Sequence, residues 1–398
     1  MLFSEKMFTK EFLALNGVIF LVFCNVAVFF QFHNYLQGEL HLSPQGLGFL
    51  IGIFAFTALI VRPIISPFLH SDNALKWLFI STAGVIVSLL LYYPARGFWS
   101  MAVVRVLHGG IYVVLATAAM TKMMDSIPEK KSGQAFGLIT VITLLPYAVM
   151  PPLLEPLIQV FGGFLPVLYL TAVLMVLVFP LLLMLKIKTQ GQGEKVRQRI
   201  TGRELLENLK DKQIFSLLLI SLLVYTAFAP VFFFLKSYAL RIGIINPGWF
   251  FTLSTFMEIA VRLFGGPLLD KGSKARSLVF SLSGLVAAYI ILAHASGTFL
   301  FYGLGLGFGI CWGVAMPLLN GLIFDKSEPR FRAINTNLAM VMFQGGFFLG
   351  PLVGGWILSD WDYMILYYAC GGMILTALGI MTFFHKSRST FDVQCSMF

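Results

Sequence analysis

Glu258 and Arg262, an acid and a guanidinium four residues apart inside an apolar run, carry the most specific chemistry in this 398-residue sequence. The i, i+4 spacing brings their side chains together on a helix. Burial favours the neutral form of the acid and Arg262 its charged form, so Glu258 reads either as half of an internal salt bridge or as a proton-exchanging group. Glu155, set among Pro146, Pro151, Pro152 and Pro156, is a second acid that either carries a proton or caps and pairs locally. Arg105 and His108 share one helix face at i, i+3. A buried guanidinium there suits a carboxylate or phosphate, and His108 is a third candidate for proton coupling. His33 and Lys236 sit at related positions of two apolar runs, in FHNY and LKSY. They are interfacial snorkelling residues or, with Arg105, an electropositive lining. Asn335, Asn337 and Gln344 suit either a solute cavity or hydrogen bonding between helices.

The elements that must hold these groups are membrane helices. The chain is 58% hydrophobic and 12% charged with a mean hydropathy of +0.86, far from the balance of a soluble domain. Apolar runs of about 20 residues, the length that crosses a bilayer, recur with little between them. Each must be helical, because lipid offers no partner for a free backbone group. The spacing predicts twelve spans, at 12–35, 44–69, 76–96, 98–124, 133–160, 164–188, 213–240, 246–270, 275–295, 298–324, 331–357 and 362–385. That divides the chain into a six-helix bundle over 1–188, a linker over 189–212 and a second bundle with a short tail over 213–398. In the linker, Thr201 and Glu204 read as a capping box opening a short amphipathic helix at the inner surface. The proline load of the fifth span predicts kinking.

The two bundles are repeats of each other. Val61, Arg62, Pro67 and Leu69 recur as Val261, Arg262, Pro267 and Leu269, and the same offset aligns Asp125 with Asp325 and Pro151 with Pro351. An offset held across separated segments marks an internal repeat.

With both termini cytoplasmic, 22 of the 28 basic residues fall on the inner side and only Arg96 and Arg241 in outside loops. That is the positive-inside pattern. It accounts for the net charge of +10 through the anionic inner leaflet, with no need for nucleic acid. The first apolar run is too long for a signal-peptide core, so no cleaved leader is expected. Cys24, Cys311 and Cys370 within spans and Cys395 in the tail fit neither a disulfide framework nor a spaced metal site. No HExxH, GxSxG or GxxxxGK[ST] pattern occurs and the six histidines are scattered, so neither an enzyme nor a nucleotide-driven pump is expected, and no cofactor. The 40 phenylalanines read mainly as lipid-facing and core residues, the remainder as an aromatic cavity for an amphipathic solute.

Twelve spans as six plus six, a cytoplasmic central loop and four motifs resemble the major facilitator superfamily of secondary transporters over essentially the whole chain. Gly266-Pro-Leu-Leu-Asp270-Lys-Gly272-Ser-Lys274-Ala-Arg276 is similar to that family's G-x-L-x-D-R-x-G-R-R loop, seen here after span 8. Its counterpart after span 2, Ser66-Pro-Phe-Leu-His70-Ser-Asp72, lacks the glycine and has His70 in place of the aspartate. Arg105-Val-Leu-His108-Gly109 resembles R-x-x-Q-G, with histidine for glutamine. GPLVGG at Gly350 to Gly355 resembles an antiporter element, but in span 11 rather than span 5. The resemblance implies an all-α membrane fold that rocks two bundles around a midplane site, with Asp270, and His70 at the matching place of the first copy, as latch residues. Arg62 and Arg262, near the inner ends of spans 2 and 8 where snorkelling costs little, read either as helix-end pairing or gate-latch residues or as solute contacts. The resemblance also implies proton-coupled movement of a small organic solute, favouring export by antiport. Uptake of an organic anion by symport, drawn by Arg105, Lys236 and His33, stays open, as does a ligand sensor on the same scaffold. The basic excess at membrane depth leans towards anionic or zwitterionic, amphipathic solutes. A monomer in a bacterial inner (plasma) membrane is expected.

Overall fold

The computed structural model describes residues 9–127, 132–185, 202–265 and 273–395, without the side chains at 132–134, 202–203, 205–206, 333 and 384–395. Among the described residues all regular structure is helical. The elements are α1 Lys10–Ala27, a 3-10 turn at Val28–Gln31, α2 Phe32–Glu39, α3 Pro44–Ile65, α4 Ser71–Leu90, α5 Phe98–Asp125, α6 Ser132–Phe161, α7 Phe164–Val176 and α8 Val178–Leu183. After α9 Gly202–Leu209 come α10 Lys212–Arg241, α11 Gly248–Phe264, α12 Lys274–Ala293, α13 Thr298–Lys326, α14 Arg332–Asp360 and α15 Tyr363–Cys395. Local signals start them. Thr9 accepts from the Phe12 N–H, Ser43 caps α3 ahead of Pro44, Asp211 accepts from Gln213 and Ile214, and Ser273 caps α12, each meeting donors that a helix start leaves unpaired.

Among the described residues, eleven helices are long and apolar enough to cross a membrane. The predicted span 246–270 is described as the 17-residue α11, and its residues 266–270 lie outside the described residues. Two other spans differ from the sequence reading. The first runs from Lys10 to Glu39 with a tighter turn in the middle. That turn aims Phe29 at Tyr92 and His108, and Phe30 at Phe232 and Phe251. The sixth is interrupted at Leu177, three residues before Pro180, which lacks the N–H that would bond back to Val176. The Thr201 member of the predicted capping box lies outside the described residues.

The helices before and after α9 pack in the same way. In the first set α3 and α4 pack on α5, α1 on α6, and α4 on α7; in the second α11 and α12 pack on α13, α10 on α14, and α12 on α15. The offset of 200 residues holds at contact level. An atom added at Gly109 would fall 2.8 Å from the Phe54 carbonyl oxygen, and one at Gly309 would fall 2.1 Å from that of Ser254. Glycine is needed at both places because the helices touch backbone to backbone.

Two helix pairs make the most extensive contacts between the sets, α3 with α14 and α6 with α11, and α10 adds smaller ones with the Val28–Gln31 turn and α2; the repeat exchanges the first pair for the second. Gly48 lies against the Pro351 carbonyl and Gly248 against that of Pro151. The prolines of α6 take part directly. Rather than breaking, α6 runs as one 30-residue helix, and its prolines leave carbonyls free four residues back. Pro152 frees Ala148 O, which accepts from Thr252 Oγ1 at 2.6 Å, and Pro156 frees Pro152 O, which accepts from Asn246 Nδ2 at 3.2 Å. Both donors come from the start of α11 and the loop before it.

Candidate functional site: a cavity between the helix sets

All of those joining contacts lie towards one end of the bundle, which we call the far face; α9 lies at the opposite end, the linker face. Towards the linker face the sets part around a cavity of about 680 Å³. Its walls come from α1, α5 and α6 on one side and from α10, α11, α13 and α14 on the other. Phe136 at the start of α6, Leu263 at the end of α11 and Asn320 late in α13 mark its linker-face rim. Tyr147, Phe232 and Phe251 line its inner end, where Phe232 and Phe251 interlock with Phe30 and form a roof.

Ten aromatic side chains line the cavity, among them Trp312 stacked on Phe228 at 4.0 Å between centroids. Among the described residues its charged lining is one pair, Glu258 and Arg262. The two are hydrogen-bonded along α11, with the acid nearly buried and the guanidinium partly exposed. Arg262 Nε has no partner among the described residues. Thr140, Thr143, Ser254, Thr255 and Asn320 supply neutral polar edges. Aromatic walls with few convergent polar groups are the usual composition of a small-molecule site.

Of the candidates singled out in sequence that fall among the described residues, only Glu258 and Arg262 line this cavity. Lys236, His33 and Glu155 gather at the far face above the roof. Lys236 Nζ lies 2.6 Å from Glu155 Oε2 and donates to Gln31 Oε1; Gln31 Nε2 donates to the same acid at 3.4 Å. His33 Nδ1 contacts Ser237 Oγ at 2.9 Å. Gln31 and Ser237, not singled out for chemistry, complete the cluster; FHNY, which begins one residue after Gln31, and LKSY, which contains Ser237, were the visible signal.

Arg105 and His108 are inside the first set, away from the cavity. Arg105 Nε and Nη2 donate to the carbonyls of Leu50 and Ile51 at 3.0 and 2.9 Å, and its guanidinium lies 4.7 to 4.9 Å from the ring centres of Phe29, Phe32 and Phe54. His108 sits between Asn25 Nδ2 and Tyr92 Oη, each at 3.1 Å. At the equivalent positions the second set has Gly305 pressed on the Phe250 carbonyl and Phe308 packed on Phe250 and Tyr289. One half therefore fills this place with a polar network and the other with rings. Arg105→Lys is expected to lower stability by about 3 kcal/mol, the scale of one or two hydrogen bonds to a charged group, because an ammonium cannot reach two carbonyls while stacking on rings. Thermal unfolding in detergent checks this. Unchanged unfolding with weakened solute binding would return Arg105 to the solute path.

The other candidates sit near the linker face or within packing. Arg62 is half-buried, with Nε unpartnered and no carboxylate beside it among the described residues. His70 is the exposed residue ahead of α4, where Asn73 bonds its backbone N–H and the Phe68 carbonyl; Asp72 is exposed in the first turn. Asp270 lies outside the described residues. Asn335 is buried against α9, exchanging hydrogen bonds with Asn208 at 2.7 and 3.2 Å and donating to Ser327 at 2.8 Å. Glu204 of α9 lies 3.6 Å from Arg330. The linker helix is therefore docked on the second set. Gln344 is buried in α14 outside the cavity lining and Asn337 is exposed. Cys24, Cys311 and Cys370 are free, and among the described residues no cluster suits a metal ion. The aromatic lining was invisible as a site, since nothing in sequence separates Tyr147, Trp312 or Phe343 from the many other rings.

A helical membrane bundle in two repeated sets around a shared cavity defines the class of secondary transporters. Consistent with that class, the sequence model of the Major Facilitator Superfamily matches residues 15–327 and again 214–391. The chain belongs to that superfamily: it is a multi-pass membrane transporter and not an enzyme. It is 21% identical over 367 residues to the staphylopine export protein of Staphylococcus aureus (strain Mu50 / ATCC 700699), covering 87% of this chain and 89% of that one. It is 24% identical to the multidrug resistance protein MdtG of Enterobacter lignolyticus (strain SCF1), over 74% and 72% of the two chains. A match to the quinolone resistance protein NorA of Staphylococcus aureus (strain MRSA252), at 27% identity, covers 44% of each. Among solved structures, the nucleoside transporter NupG superposes with a TM-score of 0.75 at 14% identity, over 94% of this chain and 98% of that one. A bacterial homolog to the human lysosomal transporter Spinster, in an inward-facing and unoccupied conformation, superposes with a TM-score of 0.70 at 14% identity over 96% of each.

Proposed function

We propose that this protein exports a small amphipathic organic solute in exchange for protons, with Glu258 as the group that takes up and releases the proton. The observation that carries the reading is the cavity itself: ring-lined, open towards the linker face, and holding one acid paired to one base. By the distribution of lysine and arginine the linker face is cytoplasmic, with both termini on that side, so the cavity is disposed to load solute from inside the cell. The three relatives bear the names of an export protein and two resistance proteins, which favours the same direction. Rocking of the two helix sets would then expose the cavity at the far face. Uptake of an organic anion is less well supported, since Arg105, Lys236 and His33, on which it would depend, are absent from the lining.

Proteoliposomes with a trapped pH-sensitive dye test this. Under an imposed solute gradient, with a panel of anionic, zwitterionic and cationic amphiphiles, proton movement opposite to solute movement is the expected result. Movement of both in one direction would make the protein a symporter. Binding with no flux of any compound would make it a sensor.

A further inference from the structure

We propose that Glu155, Lys236 and Gln31 form a latch that holds the far face shut, and that a proton reaching Glu155 from that face releases it. The inference rests on the proton-coupled reading above but concerns which face is open; the carrier in the cavity remains Glu258. Lys236 belongs to α10, in the second set, while Gln31 and Glu155 belong to the first. The ion pair at 2.6 Å and the Lys236–Gln31 hydrogen bond therefore bridge the two sets, and neither survives their separation at this end. The partners differ in access: the Lys236 side chain is 6% exposed and that of Glu155 28%. Solvent at the far face thus reaches the acid first. A proton there cancels the ion pair and leaves an ammonium buried against a neutral group, a costly arrangement. Opening lets Lys236 hydrate, so acid at the far face favours opening.

The groups packed around the pair are few. The turn and α2 bring Gln31 and His33, the latter bonded to Ser237. The approach to α11 and its first turns bring Asn246 and Thr252, both engaged with carbonyls of α6. Arg241, further along α10, is paired with Asp362 at 2.9 Å. His33 and, through a hydrogen bond with Ser237, Tyr363 of α15 are the other titratable side chains in the cluster; of the two only the histidine gains charge on acidification, so the test separates it from Glu155.

The full-length protein, without its native cysteines, is spin-labelled at Gly38→Cys and Ile245→Cys, exposed positions at the far face on opposite sets. Inter-label distances are read in lipid nanodiscs at about pH 8 and about pH 3.5, a range chosen to bracket carboxyl and imidazole titration. A short distance at high pH and a longer population on acidification are expected. Glu155→Gln should show the longer population at both pH values, His33→Gln should keep the response, and the charge swap Glu155→Lys with Lys236→Glu should restore the short distance. A short distance and an intact pH response in Glu155→Gln, or loss of the response only in His33→Gln, would overturn the latch. Solute-dependent proton flux measured alongside separates the two readings. Flux intact with distances indifferent to Glu155 removes the latch alone, whereas distances that follow Glu155 without flux remove the export reading alone.

Discussion

Gly48→Val is expected to reduce transport at least tenfold while leaving the protein inserted and folded. An atom added at Gly48 would lie 2.2 Å from the Pro351 carbonyl oxygen, and the repeat places Gly248 2.4 Å from that of Pro151. Both contacts are backbone against backbone, so no side chain can move aside. Overpacking of this kind costs about 1–3 kcal/mol. Here the cost falls on the far-face-closed arrangement, so each 1.4 kcal/mol shifts the balance between the two open states about tenfold. A cysteine placed at Phe30, buried under the seal against Phe232 and Phe251, reports the shift. Its labelling by a membrane-impermeant maleimide should rise at least tenfold in Gly48→Val and Gly248→Val. Gly38→Val is the control, because nothing lies within 4 Å of an atom added there. Labelling and transport both within twofold of the parent protein would show that the Gly–Pro contacts are not the seal.

Glu258→Gln should remove solute-dependent proton flux, bringing it at least tenfold down, while solute still exchanges across the membrane down its gradient. Glutamine keeps the shape and an oxygen for Arg262 but cannot hold and release a proton at these pH values. Cutting one member of a buried pair costs about 3–5 kcal/mol when the other charge is stranded. Arg262 is partly exposed to the cavity, so it can hydrate, and the loss in stability should be well below that range. Coupling and folding are therefore separable in this variant. Undiminished proton flux would move the carrier away from Glu258.

Composition and pattern determined most of the architecture. A chain this apolar, in runs of bilayer length, has helices as its only outlet, and the offset of 200 residues between Arg62 and Arg262 or Pro151 and Pro351 marks a repeat in the sequence itself. The Glu258–Arg262 pair was legible for the same reason: i, i+4 spacing on one helix is local information. What lay beyond the sequence was decided by contacts between helices far apart in the chain. Arg105 and His108 had the right residue types for a solute path. The packing of α3 on α5 turned them inward onto carbonyls and rings instead, where the second set has Gly305 and Phe308. The prolines of α6 predicted a kink, but only the approach of α11 supplied Thr252 and Asn246 to bond the carbonyls they free. Likewise Gln31, Glu155 and Lys236, up to 205 residues apart, become one cluster because the far ends of the two sets meet. Periodicity can say which face of a helix is apolar. Which neighbour that face meets, and so which rings become a cavity wall, is set by tertiary packing alone.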